Sequence, residues 1–222
     1  MMQKPKLITP ILIYMYGLPG SGKSYVSRQL AELFGMAHVS SDRLRFELFE
    51  NPKHDKTENM VVAHLMDYMA EEFIKAGQSV IYDISVNRIN DRRALRDLAR
   101  RCKAKELLVW VQVDIDTAWT RSQSRDRRKP DDKYASSIDQ ATFEKYMKSM
   151  QNPTSAENYL VLSGKHLFNS HKNAFLRRFN EMGILSLPTF TPSSKPGLTN
   201  LINRPQSQAG RVDFSRRNLT IR

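Results

Sequence analysis

Eight consecutive residues, Gly17-Leu18-Pro19-Gly20-Ser21-Gly22-Lys23-Ser24, satisfy every fixed position of the pattern G-x-x-x-x-G-K-[ST]. Glycines without a Cβ let the backbone wrap closely around phosphate oxygens, and the loop amides then point at the anion. Lys23 can reach the β- and γ-phosphates of a nucleotide, and the Ser24 hydroxyl can ligate Mg²⁺. From average residue frequencies a chance match in a chain of this length is on the order of 1%. The motif therefore reads as a nucleoside-triphosphate site.

Two carboxylates and a set of arginines supply further chemistry. Asp83 closes the apolar run Ser79–Tyr82, 60 residues after Lys23. There it can hold Mg²⁺ through water, the Walker B role, or cap the helix that follows. Asp42 stands after Ala37–Ser40, and Arg45 falls one helical turn on. An aspartate can orient or deprotonate a hydroxyl, and an arginine beside it can hold an acidic phosphate or a sugar. A surface ion pair is the plainer reading of the same pair. Arg121 and Arg125, four apart and followed by Arg127 and Arg128, can close over a triphosphate as arginine fingers do, or form a solvated basic helix face.

The elements that position these residues alternate between strand and helix. The spacing predicts strands at about Ile11–Tyr16, Ala37–Ser40, Ser79–Tyr82, Leu107–Val113 and Asn158–Leu162. It predicts helices at about 22–34, from Ser41 or Asp42 to near Asn51, and at 58–75, 88–103, 116–127, 139–150 and 168–182. Five strands alternating with helices argue for an α/β fold around a parallel sheet. Asp42 and Asp83 then share its carboxyl edge with the glycine-rich loop. Arg88, Arg92, Arg96 and Arg100 recur every four residues. This stripe reads as a solvated face or as a track for a nucleic-acid backbone. Trp110 reads as core, and Trp119 as packing against the domain or stacking on adenine.

The chain has 222 residues with a net charge of +12, which favours polyanionic partners. The single Cys102 excludes an internal disulfide and a cysteine-rich zinc site, and reads as a buried thiol in an apolar stripe. No apolar run approaches the roughly 20 residues that span a bilayer. No separate signal-peptide core precedes the first strand, so a cytoplasmic protein is expected. Residues 1–182 read as one domain. Residues 183–222 read as a basic, proline-rich tail with six basic residues and one acidic, a local charge of +5.

Together GLPGSGKS at 17–24, SSDRLR at 40–45, VIYDISVNRINDRRAL at 80–95, VDIDTAWTRSQSRDR at 113–127 and QNPTSAENYLVLSG at 151–164 resemble one group of proteins. This is the P-loop kinases grouped with polynucleotide kinase, zeta toxins, gluconate kinase and chloramphenicol phosphotransferase, of the AAA-type ATP-binding family. The resemblance implies a P-loop NTPase kinase-like five-stranded parallel sheet flanked by helices, with an arginine-bearing lid. It implies ATP and Mg²⁺ as cofactors. Gly17 to Ser24 would bind ATP, Asp42 would activate the acceptor and Arg45 bind it, Ser24 and Asp83 would hold the metal, and Arg121 and Arg125 would be lid arginines. The expected activity is transfer of the ATP γ-phosphoryl to a hydroxyl, with a polynucleotide 5′-hydroxyl as first candidate. A small-molecule or nucleotide-sugar acceptor, as in the zeta toxins, stands beside it. So does a regulatory ATP-binding module that contacts nucleic acid.

Overall fold

A computed structural model describes residues 5–126, 128, 133–135 and 137–186. Its elements run β1 (Lys6–Leu7), β2 (Ile11–Tyr16), α1 (Lys23–Phe34), β3 (Ala37–Ser40), α2 (Ser41–Leu48), α3 (Lys56–Lys75), β4 (Val80–Ser85) and α4 (Ile89–Arg101). They continue with β5 (Lys105–Gln112), α5 (Ile115–Gln123), α6 (Gln140–Ser149), β6 (Tyr159–Ser163), α7 (Phe168–Glu181) and β7 (Leu185–Ser186). Five strands form one sheet in the order β3-β4-β2-β5-β6, and every adjacent pair is parallel.

All six residues of β2 are buried. Successive strand side chains point to opposite faces, so a strand covered on both faces is apolar throughout. Ile11, Ile13 and Met15 meet Val26 and Leu30 of α1 and Phe175 and Phe179 of α7. Leu12, Tyr14 and Tyr16 meet Val62, Met66 and Ala70 of α3 and Leu95 and Leu98 of α4. The result is a three-layer α/β/α domain. Its parallel strands bring their carboxyl ends to one edge.

Several local expectations are corrected. Strand β4 continues past Asp83 to Ser85, its pairing with β2 shifting register between Tyr14 and Met15. Asp83 thus lies inside the strand, opposite Ser40 of β3, and is not a helix cap. Ser40, not Ser41 or Asp42, caps α2 by accepting the Arg43 amide. Helix α5 ends at Gln123, short of the expected Arg127, so Arg125 follows the helix instead of sharing a face with Arg121. The arginine stripe is not a continuous outer face, since Arg92 is fully buried. Cys102 is half-buried at the end of α4. Trp119 packs edge-on to Phe143.

The lead-in before β2 is structured as well. Lys6–Leu7 pairs antiparallel with Leu185–Ser186, and Ile184 is fully buried in the core. The packing of the described residues therefore runs past the boundary expected at 182. The remainder of the expected tail, 187–222, lies outside the described residues. So do Arg127 and residues 129–132.

Candidate functional site

Glycine-rich turn, strand end and helix start are tied together at the carboxyl edge of β2. Gly22 caps α1 in a left-handed conformation, φ 100° and ψ 18°, which a residue with a Cβ adopts only under strain. A Cβ on Gly17 would stand 2.4 Å from the Val111 carbonyl oxygen, so the loop's close seat on β5 requires glycine there. The Ser85 hydroxyl donates to the Gly17 carbonyl at 2.9 Å, fixing the loop to β4. Behind it, a Cβ on Gly164 would meet the Ser21 carbonyl oxygen at 2.2 Å. The turn after β6 is thus pressed against the phosphate loop.

A cleft of about 410 Å³ opens in front of this loop. Pro19, Gly20, Gly22, Lys23 and Ser24 of the loop line it, together with Asp42, His54, Asp83, Arg121 and Arg125 among others. Lys23 Nζ donates to the Gly17 and Leu18 carbonyls at 2.9 and 2.8 Å. Burial pushes its pKa down to about 8, with Arg125 acting in the same direction and Asp83 and Asp42 opposing. Burial pushes the Asp42 carboxyl up, and the negative charge of Asp83 adds to the rise. Arg125 and Lys23 pull it the other way. A carboxyl displaced upward is a better proton acceptor than an ordinary aspartate.

Both oxygens of Asp83 are engaged. Ser24 Oγ lies 3.4 Å from Oδ1, and His38 Nε2 lies 2.9 Å from Oδ2. Ser41 Oγ donates to the Asp83 backbone carbonyl at 3.3 Å. Ser24 and Asp83 offer two hard oxygens side by side, with the Asp42 carboxylate lining the same cleft, which fits Mg²⁺. Among the described residues there is no group of three or more His, Cys, Asp or Glu side chains able to hold a metal. The remaining positions of an octahedral ion would therefore be filled by water and phosphate oxygens, as Mg²⁺ prefers.

Of the residues singled out from sequence, the structure brings Gly20, Gly22, Lys23, Ser24, Asp42, Asp83, Arg121 and Arg125 to this one cleft. Arg121 also donates to the Gly164 carbonyl at 2.7 Å. Arg45 is placed elsewhere. Its buried guanidinium lies 3.1 Å from Glu58 and 2.6 Å from Asn59, because α3 packs against α2 and brings Glu58 to it. Glu58 also accepts the Lys53 amide, at 2.8 Å from Oε1 and 3.0 Å from Oε2, and the His54 amide at 2.8 Å. The pair Arg45–Glu58 thus folds the loop that carries His54 into the cleft. His38, His54, Ser85 and Gly164 were not singled out as site residues from sequence. Only Gly164, following an apolar run, left a signal there.

The buried Arg92 ties α4 to the segment that precedes β6. Its Nε and Nη2 donate to the two oxygens of Glu157 at 2.7 and 3.1 Å. Its Nη1 donates to the Gln151 carbonyl at 2.9 Å. A larger open groove, about 790 Å³, lies on the other side of Leu18 between Trp110, Met147, Met150 and Val161. None of the cleft's carboxylates reaches it.

Comparisons with known proteins agree with this fold. No curated protein matches the chain. A sugar kinase from Janibacter sp. HTCC2649 superposes with a TM-score of 0.55 at 14% identity, covering 79% of this chain and 95% of its own. Kti12 from Chaetomium thermophilum, solved with ADP-AlF3, gives 0.61 at 16%, covering 76% and 97%. A gluconokinase from Sinorhizobium meliloti 1021 gives 0.55 at 14%, covering 80% and 94%. At such identities these likenesses speak for a kinase-like P-loop NTPase fold. An AAA domain family model matches residues 12–153, from β2 through the Arg92-anchored loop, and the chain belongs to that AAA domain family.

Proposed function

We propose that this protein is an ATP-dependent kinase that transfers the γ-phosphoryl group to a hydroxyl acceptor. The observation that carries the reading is Asp42, held beside the phosphate loop and displaced upward in pKa. A carboxylate at that place can take the proton of a hydroxyl that attacks the γ-phosphorus. The loop amides and Lys23 would bind the β- and γ-phosphates of ATP. Ser24 and Asp83 would hold Mg²⁺, which supplies neutralisation of the phosphate charge. Asp42 would accept the proton of the acceptor hydroxyl as that oxygen bonds to the γ-phosphorus and the bond to the ADP oxygen breaks. Arg121 and Arg125 would meet the charge that spreads onto the equatorial oxygens. A polynucleotide 5′-hydroxyl is the first acceptor to try, given the net charge of +12, with small polyols and nucleotide sugars beside it.

The test is label transfer from γ-labelled ATP to a panel of 5′-hydroxyl oligonucleotides, nucleosides and polyols, alongside release of inorganic phosphate. Asp42→Asn should slow transfer by roughly 10²–10⁴, with nucleotide affinity nearly intact. Since a raised pKa must be passed before the base is ionised, kcat should fall on the acid side above the ordinary aspartate range. Phosphate release without transfer, insensitive to Asp42→Asn, would instead mark a regulatory ATPase module.

A further inference from the structure

His54 stands where no sequence pattern placed a functional residue. It lies just before the N-cap Asp55 of α3, with a left-handed backbone, φ 56°. A non-glycine residue in that region is uncommon, and it persists only where the surroundings enforce it. Here they do. The His54 amide donates to Glu58, Asn59 Nδ2 donates to its carbonyl at 3.2 Å, and Arg45 holds Glu58 in place. What this enforced turn achieves is a position for the side chain. His54 lines the same cleft as Asp42, near enough to favour the ionised form of that carboxylate.

Building on the kinase reading above, we propose that His54 binds the acceptor, donating a hydrogen bond to a second oxygen beside the reacting hydroxyl. Three observations meet in it: an enforced backbone, exposure to the cleft and proximity to the base. Arg45 then acts one step back. It is a positioning residue that seats the His54 loop through Glu58, not a ligand of the acceptor. The recognised chemistry is a hydroxyl with an oxygen substituent on a neighbouring carbon. A vicinal diol, a sugar ring and the sugar–phosphate of a nucleic-acid end all supply it.

The variants His54→Gly, His54→Ala and His54→Gln separate this role from a structural one. Glycine relieves the left-handed backbone, so His54→Gly should melt at least as high as the parent. Its KM for the acceptor should nevertheless rise tenfold or more, by more than kcat falls, with ADP·Mg²⁺ affinity within about threefold by calorimetry. His54→Gln, which keeps a donor, should recover part of the loss that His54→Ala shows. The acceptors used are a 5′-hydroxyl oligonucleotide, a nucleoside and a polyol series with and without the neighbouring hydroxyl. A His54→Gly protein that melts lower while keeping its acceptor KM would overturn the proposal and leave the kinase reading standing. A parent protein that transfers label to none of the three classes would overturn both.

Discussion

Nucleotide binding should draw protons out of solution, and Lys23 sets how many. In the free protein its pKa is about 8, against an ordinary 10.5. Phosphate oxygens placed against Nζ favour the charged ammonium and return the pKa toward or above its ordinary value. The uptake per nucleotide bound is therefore the fraction of neutral lysine in the free protein: about 0.1 at pH 7, about 0.5 at pH 8 and about 0.9 at pH 9. The nucleotide contributes little to this at pH 8, because a phosphate's second ionisation is complete well below it. Calorimetry in buffers of high and low ionisation enthalpy reads the number directly, as the slope of the observed heat against that enthalpy. Lys23→Met should flatten the slope. The same displacement has a stability sign. Between pH 8 and 10.5 the unfolded chain binds a proton that the folded chain does not, so stability rises with pH across that window. Below pH 8 the folded state carries the full penalty of about 3 kcal/mol. At pH 7 Lys23→Met should therefore stabilise the nucleotide-free protein by up to that amount, less the two hydrogen bonds to Gly17 and Leu18. A zero slope at pH 8, with Lys23→Met less stable than the parent, would refute the reasoning.

Four other outcomes are expected. Arg125→Ala should lower single-turnover transfer by about 10³ if it acts as a finger in cis, and change nucleotide affinity less than about tenfold; Arg125→Lys should recover only part, lacking the planar fork. Gly164→Ala must displace the Ser21 carbonyl, which stands 2.2 Å from the new Cβ. Turnover should fall by about 10²-fold from the misplaced loop, and unchanged kinetics would show that the loop yields freely. His38→Ala removes the partner of Asp83 Oδ2 and should weaken Mn²⁺ binding to the ADP complex by about 10–100-fold, read by electron paramagnetic resonance. Arg92→Met strands a carboxylate whose side chain is 2% exposed and should destabilise by about 3–5 kcal/mol, while Arg92→Met with Glu157→Leu should regain most of it in a denaturant titration.

How much of this was legible in the sequence follows from how local each determinant is. The phosphate loop is contiguous, so its pattern shows in the sequence even though its glycines answer to distant elements, Gly17 to Val111 of β5 and Gly20 to Ala118 of α5. Asp42 and Asp83 were legible by topology, since parallel strands deliver their carboxyl ends to one edge. Arg45 was not. A spacing of three places it near Asp42 on a helical net, but it lies off Asp42's line and toward α3. Its partner Glu58 is 13 residues away, and only the packing of α2 on α3 brings the two together. Arg92 failed for the same reason at longer range. Four-residue spacing marks a helix face, not what covers it, and Glu157 lies 65 residues on. For Arg125, the Asp114 cap starts α5 at Ile115 and the helix stops at Gln123, a boundary that arginine-rich composition did not mark.

Burial moves Lys23 and Asp42 in opposite directions on the pKa scale, yet for both it favours the neutral form. A cleft that discourages charge on its own lysine and its own base is costly to the folded chain while empty. Elsewhere in the domain buried charges are answered within the chain, Arg92 by Glu157 and Arg45 by Glu58. In the cleft the answer is incomplete: Lys23 leans on two carbonyls, and Asp42 shares its space with Asp83. Phosphate oxygens would supply the lysine's counter-charge, and a divalent ion would relieve the two aspartates. The same groups that destabilise the empty domain would then become the reason it closes on its nucleotide, and differential binding of that kind raises stability by mass action. The left-handed His54 belongs to the same account, since Arg45 and Glu58, buried and paired with each other, hold in place a turn that a freer loop would relax.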